Sequence, residues 1–354
     1  MSERRSIAVK AEDIARQRAG RDFIGLTQQR GTLTRWPQAR KKIAAKDRVK
    51  MSPNRAAPTV IYPLLGAEFD LGFVRVAGHG LGNCFFTYFH AVVLADKWRA
   101  LMVAPPWFSL KLRPLLRGSV SKRLYWRMFK PCTRDIHGVG KLALLLRGYH
   151  RRVTVRVGGA SEPVVVPGAL NLVKSARFTF AGLHEHRTLI RDRLLAIVNE
   201  PIPPDHRWGA SPYIAVHVRL GDFSEAKDAA RIERGEPNLR IPLRWYTGVI
   251  QALRRRFAAL PLWIFSDGEE RQLAPLLRDG ASLYRSGSDV TDLLAMAGAS
   301  VLVGSNSTYS RWAAFLGGMP SIWLQTAATP EAPSGSGAAI SYVPLDDASP
   351  KLWT

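Results

Sequence analysis

His217, Arg219 and Asp222 follow one another at intervals of two and three residues in the stretch Tyr-Ile-Ala-Val-His-Val-Arg-Leu-Gly-Asp-Phe, residues 213–223. A guanidinium in such a setting suits a phosphate, because its fixed fork of donors matches two oxygens at once. The plainer alternative is a strand-end Arg neutralised by a nearby carboxylate. Two further stretches carry related chemistry. Ser266-Asp267-Gly268-Glu269 sets a carboxylate beside a glycine, and Gly304-Ser305-Asn306-Ser307-Thr308-Tyr309-Ser310 crowds hydroxyls and an amide ahead of a helical pattern. A helix N-terminus offers unpaired N–H groups and the positive end of the dipole, which together favour an anion. Capping alone needs one hydroxyl. Asp292 is suited to accept from a base with N–H donors on one edge, such as guanine, or to serve as a first-turn helix acid stabilised by the dipole.

These residues need strand ends to hold them. Short apolar, β-branched runs predict strands at 213–218, 262–265, 282–285, 300–303 and 320–324, with helices at 243–257, 269–278, 289–297 and 308–316. Strands separated by single helices form a parallel sheet. The three polar stretches then fall on one edge, beyond the strands' carboxyl ends, where open α/β sheets bind ligands.

The first half is organised differently. A strand is expected at 73–77, a turn at Gly78-His79-Gly80-Leu81-Gly82-Asn83, a long apolar helix at 84–98 and a strand at 101–104. The glycines miss the G-x-G-x-x-G spacing, which excludes a dinucleotide fingerprint. Residues 105–180 hold aromatics at 105–108 and aromatics interleaved with cations at 122–127, and suit nucleic acid, a membrane interface or a half-buried insertion. A helix follows at 184–198 with Leu189, Leu194, Leu195 and Val198 on its apolar side, then a Pro-rich linker at 199–212. The tail from Thr326 reads as a loop folding back over the domain.

Charge is unevenly spread over the 354 residues, whose net charge is +23. Residues 1–55 hold 15 Lys/Arg against 5 Asp/Glu, residues 56–180 hold 18 against 5, and residues 181–354 are balanced at 18 each. The excess implies an anionic partner for one face: nucleic acid, lipid headgroups or a phosphate-bearing substrate. Residues 1–55 read as a weakly ordered basic extension. No apolar run is long enough to span a bilayer, no secretory signal is visible, and Cys84 and Cys132 have no metal-type spacing, so the expected compartment is the cytosol.

The same residues carry a family resemblance. His217-Val218-Arg219-Leu220-Gly221-Asp222 resembles the His-x-Arg-Arg-x-Asp motif of fucosyltransferases that use GDP-fucose. Asp292 to Trp312 is similar to that family's Asn-Ser-(Ser/Thr)-Phe-Ser-Trp-Trp block with its upstream Asp, and Ile264 to Asp267 to its Phe-Ser-Asp motif. Gly80-Leu81-Gly82-Asn83-Cys84 is similar to an element near the start of bacterial α-1,2-fucosyltransferases, and Phe180 to Val198 to the helix before the family's second domain. The resemblance covers roughly residues 73–104 and 178–325.

It implies an α/β, GT-B type fold with two Rossmann-like domains facing a cleft: acceptor side at 56–200, GDP-sugar side at 201–325, with extension 1–55 and tail 326–354. It implies inverting, metal-independent transfer with no cofactor beyond the GDP-sugar donor, and the chain has no Asp-x-Asp pair for a cation. Arg219 would neutralise the leaving diphosphate, with Asp222 or Glu225 as general base or Asp222 as the ion-pair partner of Arg219. His217 and Asp292 would hold guanine, Asp267, Asn306, Ser307 and Thr308 would belong to the donor site, and Gly82 and Asn83 would line the cleft. The sequence departs from the pattern at Leu220, Arg311 and Cys84, which stand where the family has Arg, Trp and Gln. The expected partners are GDP-fucose or a related GDP-sugar, a glycan acceptor carried on a lipid diphosphate, and an anionic membrane surface, without nucleic acid. A nucleic-acid-binding protein using the basic half, or a GDP-sugar-binding pseudo-enzyme, is the alternative.

Overall fold

The computed structural model describes residues 58–66, 69–76, 78–110, 125, 127–147, 151–200, 211–278, 280–327 and 338–347. The basic extension, most of 122–127 and of the linker, and most of the tail lie outside the described residues.

Two α/β lobes, each built on a parallel sheet, make up the rest, as the expected fold class requires. In the second lobe, β8 (Ile214–Val218), β9 (Leu262–Ser266), β10 (Ser282–Tyr284), β11 (Val301–Val303), β12 (Ser321–Leu324) and β13 (Ile340–Val343) form a six-stranded sheet in the order β10-β9-β8-β11-β12-β13. All its pairings are parallel. Counted from β8, this is the 3-2-1-4-5-6 order of a doubly wound sheet, and the order reverses between β8 and β11. Every residue of β8 is buried, which accounts for its unbroken Ile-Ala-Val-His-Val run in the sheet centre. β13 was not expected: the tail folds back as predicted, but as an edge strand, and Trp245 donates to its Val343 carbonyl at 3.3 Å.

The first lobe is smaller. Strands β1 (Val60–Pro63), β4 (Leu101–Met102), β6 (Arg152–Val157) and β7 (Leu170–Ser175) pair in the order β4-β1-β7-β6, all parallel. A separate ribbon holds β2 (Phe69–Asp70), β3 (Arg75–Val76) and β5 (Ser109–Leu110). Among its described residues, the region 105–180 therefore contributes three strands, β5, β6 and β7, and a helix rather than an irregular insertion. The expected strand at 73–77 shrinks to two residues.

Helix α1 (Leu81–Lys97) is apolar on all sides and buried through most of its length, as a core helix must be. The other α-helices among the described residues are α2 (Gly138–Arg147), α3 (Arg187–Ile197), α4 (Ala229–Glu233), α5 (Leu243–Arg256), α6 (Glu270–Leu277), α7 (Asp289–Gly298) and α8 (Thr308–Gly317). On α3 the buried positions are Ile190, Leu194 and Ile197. Of the expected apolar side, Leu194 and Val198 are buried and Leu189 packs on the core, while Leu195 is exposed.

The lobes share a core. Trp312 of α8 is fully buried, donates to the Gly82 carbonyl at 2.7 Å, and packs on Phe86, Phe89 and Phe180 with centroids 4.9, 5.2 and 4.9 Å away. Gly82 meets the start of α8 so closely that an added Cβ would lie 2.7 Å from Thr308 Oγ1, 2.9 Å from the Thr308 carbonyl carbon and 3.0 Å from Tyr309 N. Two of those neighbours are backbone and have nowhere to go. Gly82→Ala should therefore destabilise the chain by about 1–3 kcal/mol in urea unfolding; an unchanged midpoint would contradict this contact.

Candidate active site

Register brings the three polar stretches together. Val218 of β8 pairs with Ser266 of β9, and Val216 pairs with Val303 of β11. Arg219 thus leaves β8 between Asp267 on one side and the 304–310 turn on the other, at the point where the strand order reverses. The Arg219 guanidinium also acts electrostatically on Tyr309 in that turn.

Arg219 is not alone. Its Nη1 lies 2.8 Å from Asp267 Oδ2 and its Nη2 lies 2.5 Å from Asp222 Oδ1, while its Cζ sits 5.6 Å from the Phe223 ring centroid. The ion-paired alternative is therefore realised twice over. Its Nε–H, by contrast, is buried without a partner among the described residues. A buried, unpaired donor on a cation is costly and favours an incoming acceptor.

Asp267 is a positioning group as well as a neighbour of the site. Its Oδ1 accepts from Leu220 N at 2.9 Å while Oδ2 faces Arg219, so one carboxylate fixes both backbone and guanidinium. Gly221 is required here, since a Cβ on it would lie 2.3 Å from Asp267 Oδ2. Arg240, which sequence patterning did not single out, completes the loop by donating from Nε to the Leu220 and Phe223 carbonyls at 2.8 and 2.7 Å. Nothing in its local sequence marks it, because the partner carbonyls lie 17 and 20 residues upstream. Leu220, where the family motif has a second Arg, is buried in the second lobe's core.

The 304–310 turn is partly self-satisfied. Ser305 is buried and shares a 2.8 Å hydrogen bond with His217 Nδ1. Ser310 donates to the Ser305 and Ser307 carbonyls, and Ser307 caps α8 by accepting from Tyr309 N at 3.2 Å. The crowd of hydroxyls that looked excessive for capping is thus largely spent on building the turn. Thr308, half-buried beside Gly82, and exposed Asn306 are the side chains of this turn without protein hydrogen bonds among the described residues.

Several expectations change in consequence. His217 is buried against Ser305 and the Tyr309 ring rather than facing outward toward a base. Burial, followed by the Arg219 charge, pushes its imidazole far down, so it is neutral at ordinary pH. Gly82 is buried in the contact between lobes and does not line a cleft. Asn83 is half-buried, with Oδ1 lacking a partner among the described residues. Glu225 is 86% exposed and only 3.5 Å from Arg240, away from the Arg219 pairings, whereas Asp222 is 52% exposed and touches Arg219. Asp292 accepts from both the backbone N and Oγ of Ser286 through one oxygen, at 2.9 and 2.6 Å. Burial raises its pKa, against the pull of Ser286 and Arg285. Among the described residues no group of three or more His, Cys, Asp and Glu side chains is placed to hold a metal ion. Two cavities, of about 240 and 460 Å³, lie in the first lobe; neither is lined by Arg219 or the 304–310 turn.

No family model matches the sequence, and no curated protein is significantly similar to it. Among solved structures, the chain is similar to the fucosyltransferase NodZ from Bradyrhizobium, with 14% identity and a TM-score of 0.40 over 75% of this chain and 94% of that one. It is also similar to POFUT1 in complex with GDP-fucose, with 10% identity and a TM-score of 0.36 over 82% and 98% of the two chains. Likenesses this distant assign no activity.

The buried imidazole has a pH signature. Its folded pKa is depressed below the ordinary value of about 6.5, so between the two values only the unfolded chain binds the proton. Stability should hold above about pH 6.5 and fall as pH drops below it, by up to about 1.4 kcal/mol per unit. Urea unfolding of wild type and His217→Gln across this range checks this. The variant should lack that component; equal slopes would contradict it.

Proposed function

We propose that the chain is a glycosyltransferase that moves a deoxyhexose, fucose or a close relative, from a GDP-sugar to a glycan hydroxyl. The observation that carries the reading is Arg219 at the reversal point of a doubly wound sheet, with an unpaired N–H and the N-terminus of α8 beside it. A nucleoside diphosphate is the ligand class such an edge accepts.

The chemistry follows from charge. As the glycosyl bond breaks, negative charge builds on the β-phosphate, and a guanidinium already fixed in place stabilises that state more than the ground state. Asp267 holds Arg219 in position. The diphosphate displaces Asp222, the more exposed of its two partners, and takes over Nη2 and Nε. The N-terminal N–H groups of α8 and the Thr308 hydroxyl add donors to the phosphates. Released from the guanidinium, Asp222 is the general base that takes the proton from the attacking hydroxyl. Attack from the face opposite the diphosphate inverts the anomeric centre. In this reading no metal takes part, because the guanidinium and the helix terminus supply the positive charge. In this reading Asp292, which accepts from Ser286 and has Arg285 nearby, would read the guanine edge. The basic first half faces an acceptor or surface of negative charge, in keeping with cytoplasmic assembly of a surface polysaccharide.

Arg219→Ala should lower transfer from GDP-fucose at least about 10²-fold with little change in melting temperature. Wild-type chain should be stabilised by GDP, by about 2.7 kcal/mol at a hundredfold excess over Kd, and not by oligonucleotides. Near-normal turnover by the variant would defeat the assignment. Stabilisation by GDP without any sugar release would make the chain a binding protein that has lost the second Arg.

A further inference from the structure

The outer face of α2 is bare among the described residues. Val139 and Leu146 are 84% and 76% exposed, and Leu142, between them, 42%. They fall at helical spacing on one side. The β2–β3 hairpin packs on the same helix: a Cβ at Gly72 would lie 2.5 Å from Leu145 Cδ1, and Lys141 Nζ is 5.6 Å from the Phe73 ring centroid. That hairpin adds Leu71, 68% exposed, and Phe73, 49% exposed. Side chains of this size seldom gather on a surface facing only water.

The fully exposed charges around them are cationic, and Asp70 of the hairpin is half-buried and accepts from Tyr62 and from Gly72 N. Arg127, Lys130, Arg134 and His137 are exposed, while Asp135 is buried in an ion pair with Arg193 at 2.5 Å. Lys141 is buried behind the apolar face, donates to the Ala104 carbonyl at 2.5 Å and has Asp70 nearby. Phe73, Tyr125, Arg127, Lys130, His137 and Lys141 line the 240 Å³ cavity beside this face. A second copy of the chain would bring two cationic rims together and be repelled. Nucleic acid would use exposed ring faces for stacking, whereas the most exposed groups here are aliphatic. Aliphatic side chains ringed by cations match a layer of acyl chains under anionic headgroups.

We propose that α2 and the β2–β3 hairpin form a docking surface for a bilayer of anionic phospholipid. The apolar side chains enter the boundary between headgroups and acyl chains, and Arg127, Lys130 and Arg134 meet the phosphates. At ten residues α2 lies on the membrane, and no helix among the described residues is long and apolar enough to cross one. The surface is separate from Arg219 and does not depend on the proposed reaction.

Flotation of the full chain with vesicles tests this, using phosphatidylcholine alone or mixed with phosphatidylglycerol. Wild type should float with the anionic vesicles and little with the neutral ones. Val139→Asp/Leu146→Asp, with both sites exposed, should melt at the wild-type temperature and partition about tenfold more weakly. Leu71→Asp should weaken partitioning independently. Failure of wild type to float would overturn the proposal. So would equal flotation of the double variant, which would leave attachment to the basic extension alone. Loss of a dimer in the double variant, with flotation unchanged, would make the face an interface between copies and equally overturn it.

Discussion

Two carboxylates share one guanidinium, and they hold it unequally. Asp267 follows the paired strand β9 and is tied at both oxygens, to Arg219 at 2.8 Å and to Leu220 N at 2.9 Å. Asp222 lies in the loop, 52% exposed, and is bound to Arg219 through one oxygen. In the proposed role, an anion arriving at Arg219 competes with the more exposed carboxylate, Asp222, whereas displacing Asp267 would strand the Leu220 N–H. The asymmetry orients the guanidinium before a ligand arrives and leaves one side of it exchangeable. Pre-orientation of this kind is what allows a charge to favour a transition state over a ground state.

The aromatic seam between lobes sets the frame around that pair. Phe86, Phe89 and Phe180 are each buried against Trp312, Phe86 also meets Phe180, and an aromatic pair of this kind contributes about 0.5–1.5 kcal/mol beyond its area. Trp312 also anchors α8 to the Gly82 carbonyl at 2.7 Å. The N-terminus of α8 is thereby fixed from both lobes at once. His217 adds a third attachment through Ser305, inside the second lobe. A turn held at so many points offers its N–H groups with little freedom to lose on binding.

The second lobe was legible in the sequence because its signals are local. β-branched runs at 214–218 and 301–303, each bounded by Gly or polar clusters, mark buried central strands without ambiguity. The first lobe was not, since its strands β6 and β7 are edge-side or mixed in pattern and are separated by irregular segments. β13 escaped because Ile340–Val343 is a short edge strand whose partner, β12, lies beyond a Pro/Gly/Ser-rich stretch. At the site, residue types were readable but spending was not. That Ser305 and Ser310 are consumed by the turn, that Gly82 is a packing contact, and that Asp267 clamps the Leu220 N–H are all long-range facts. Arg240 shows the same limit from the other direction, since its role depends wholly on carbonyls that only folding brings to it.

A crystal structure of the chain with GDP bound bears most directly on the role given to Arg219. The account predicts its guanidinium within about 3 Å of β-phosphate oxygens, the Asp267 pair kept and the Asp222 pair broken. A diphosphate bound elsewhere, with Arg219 still paired to both carboxylates, would contradict it.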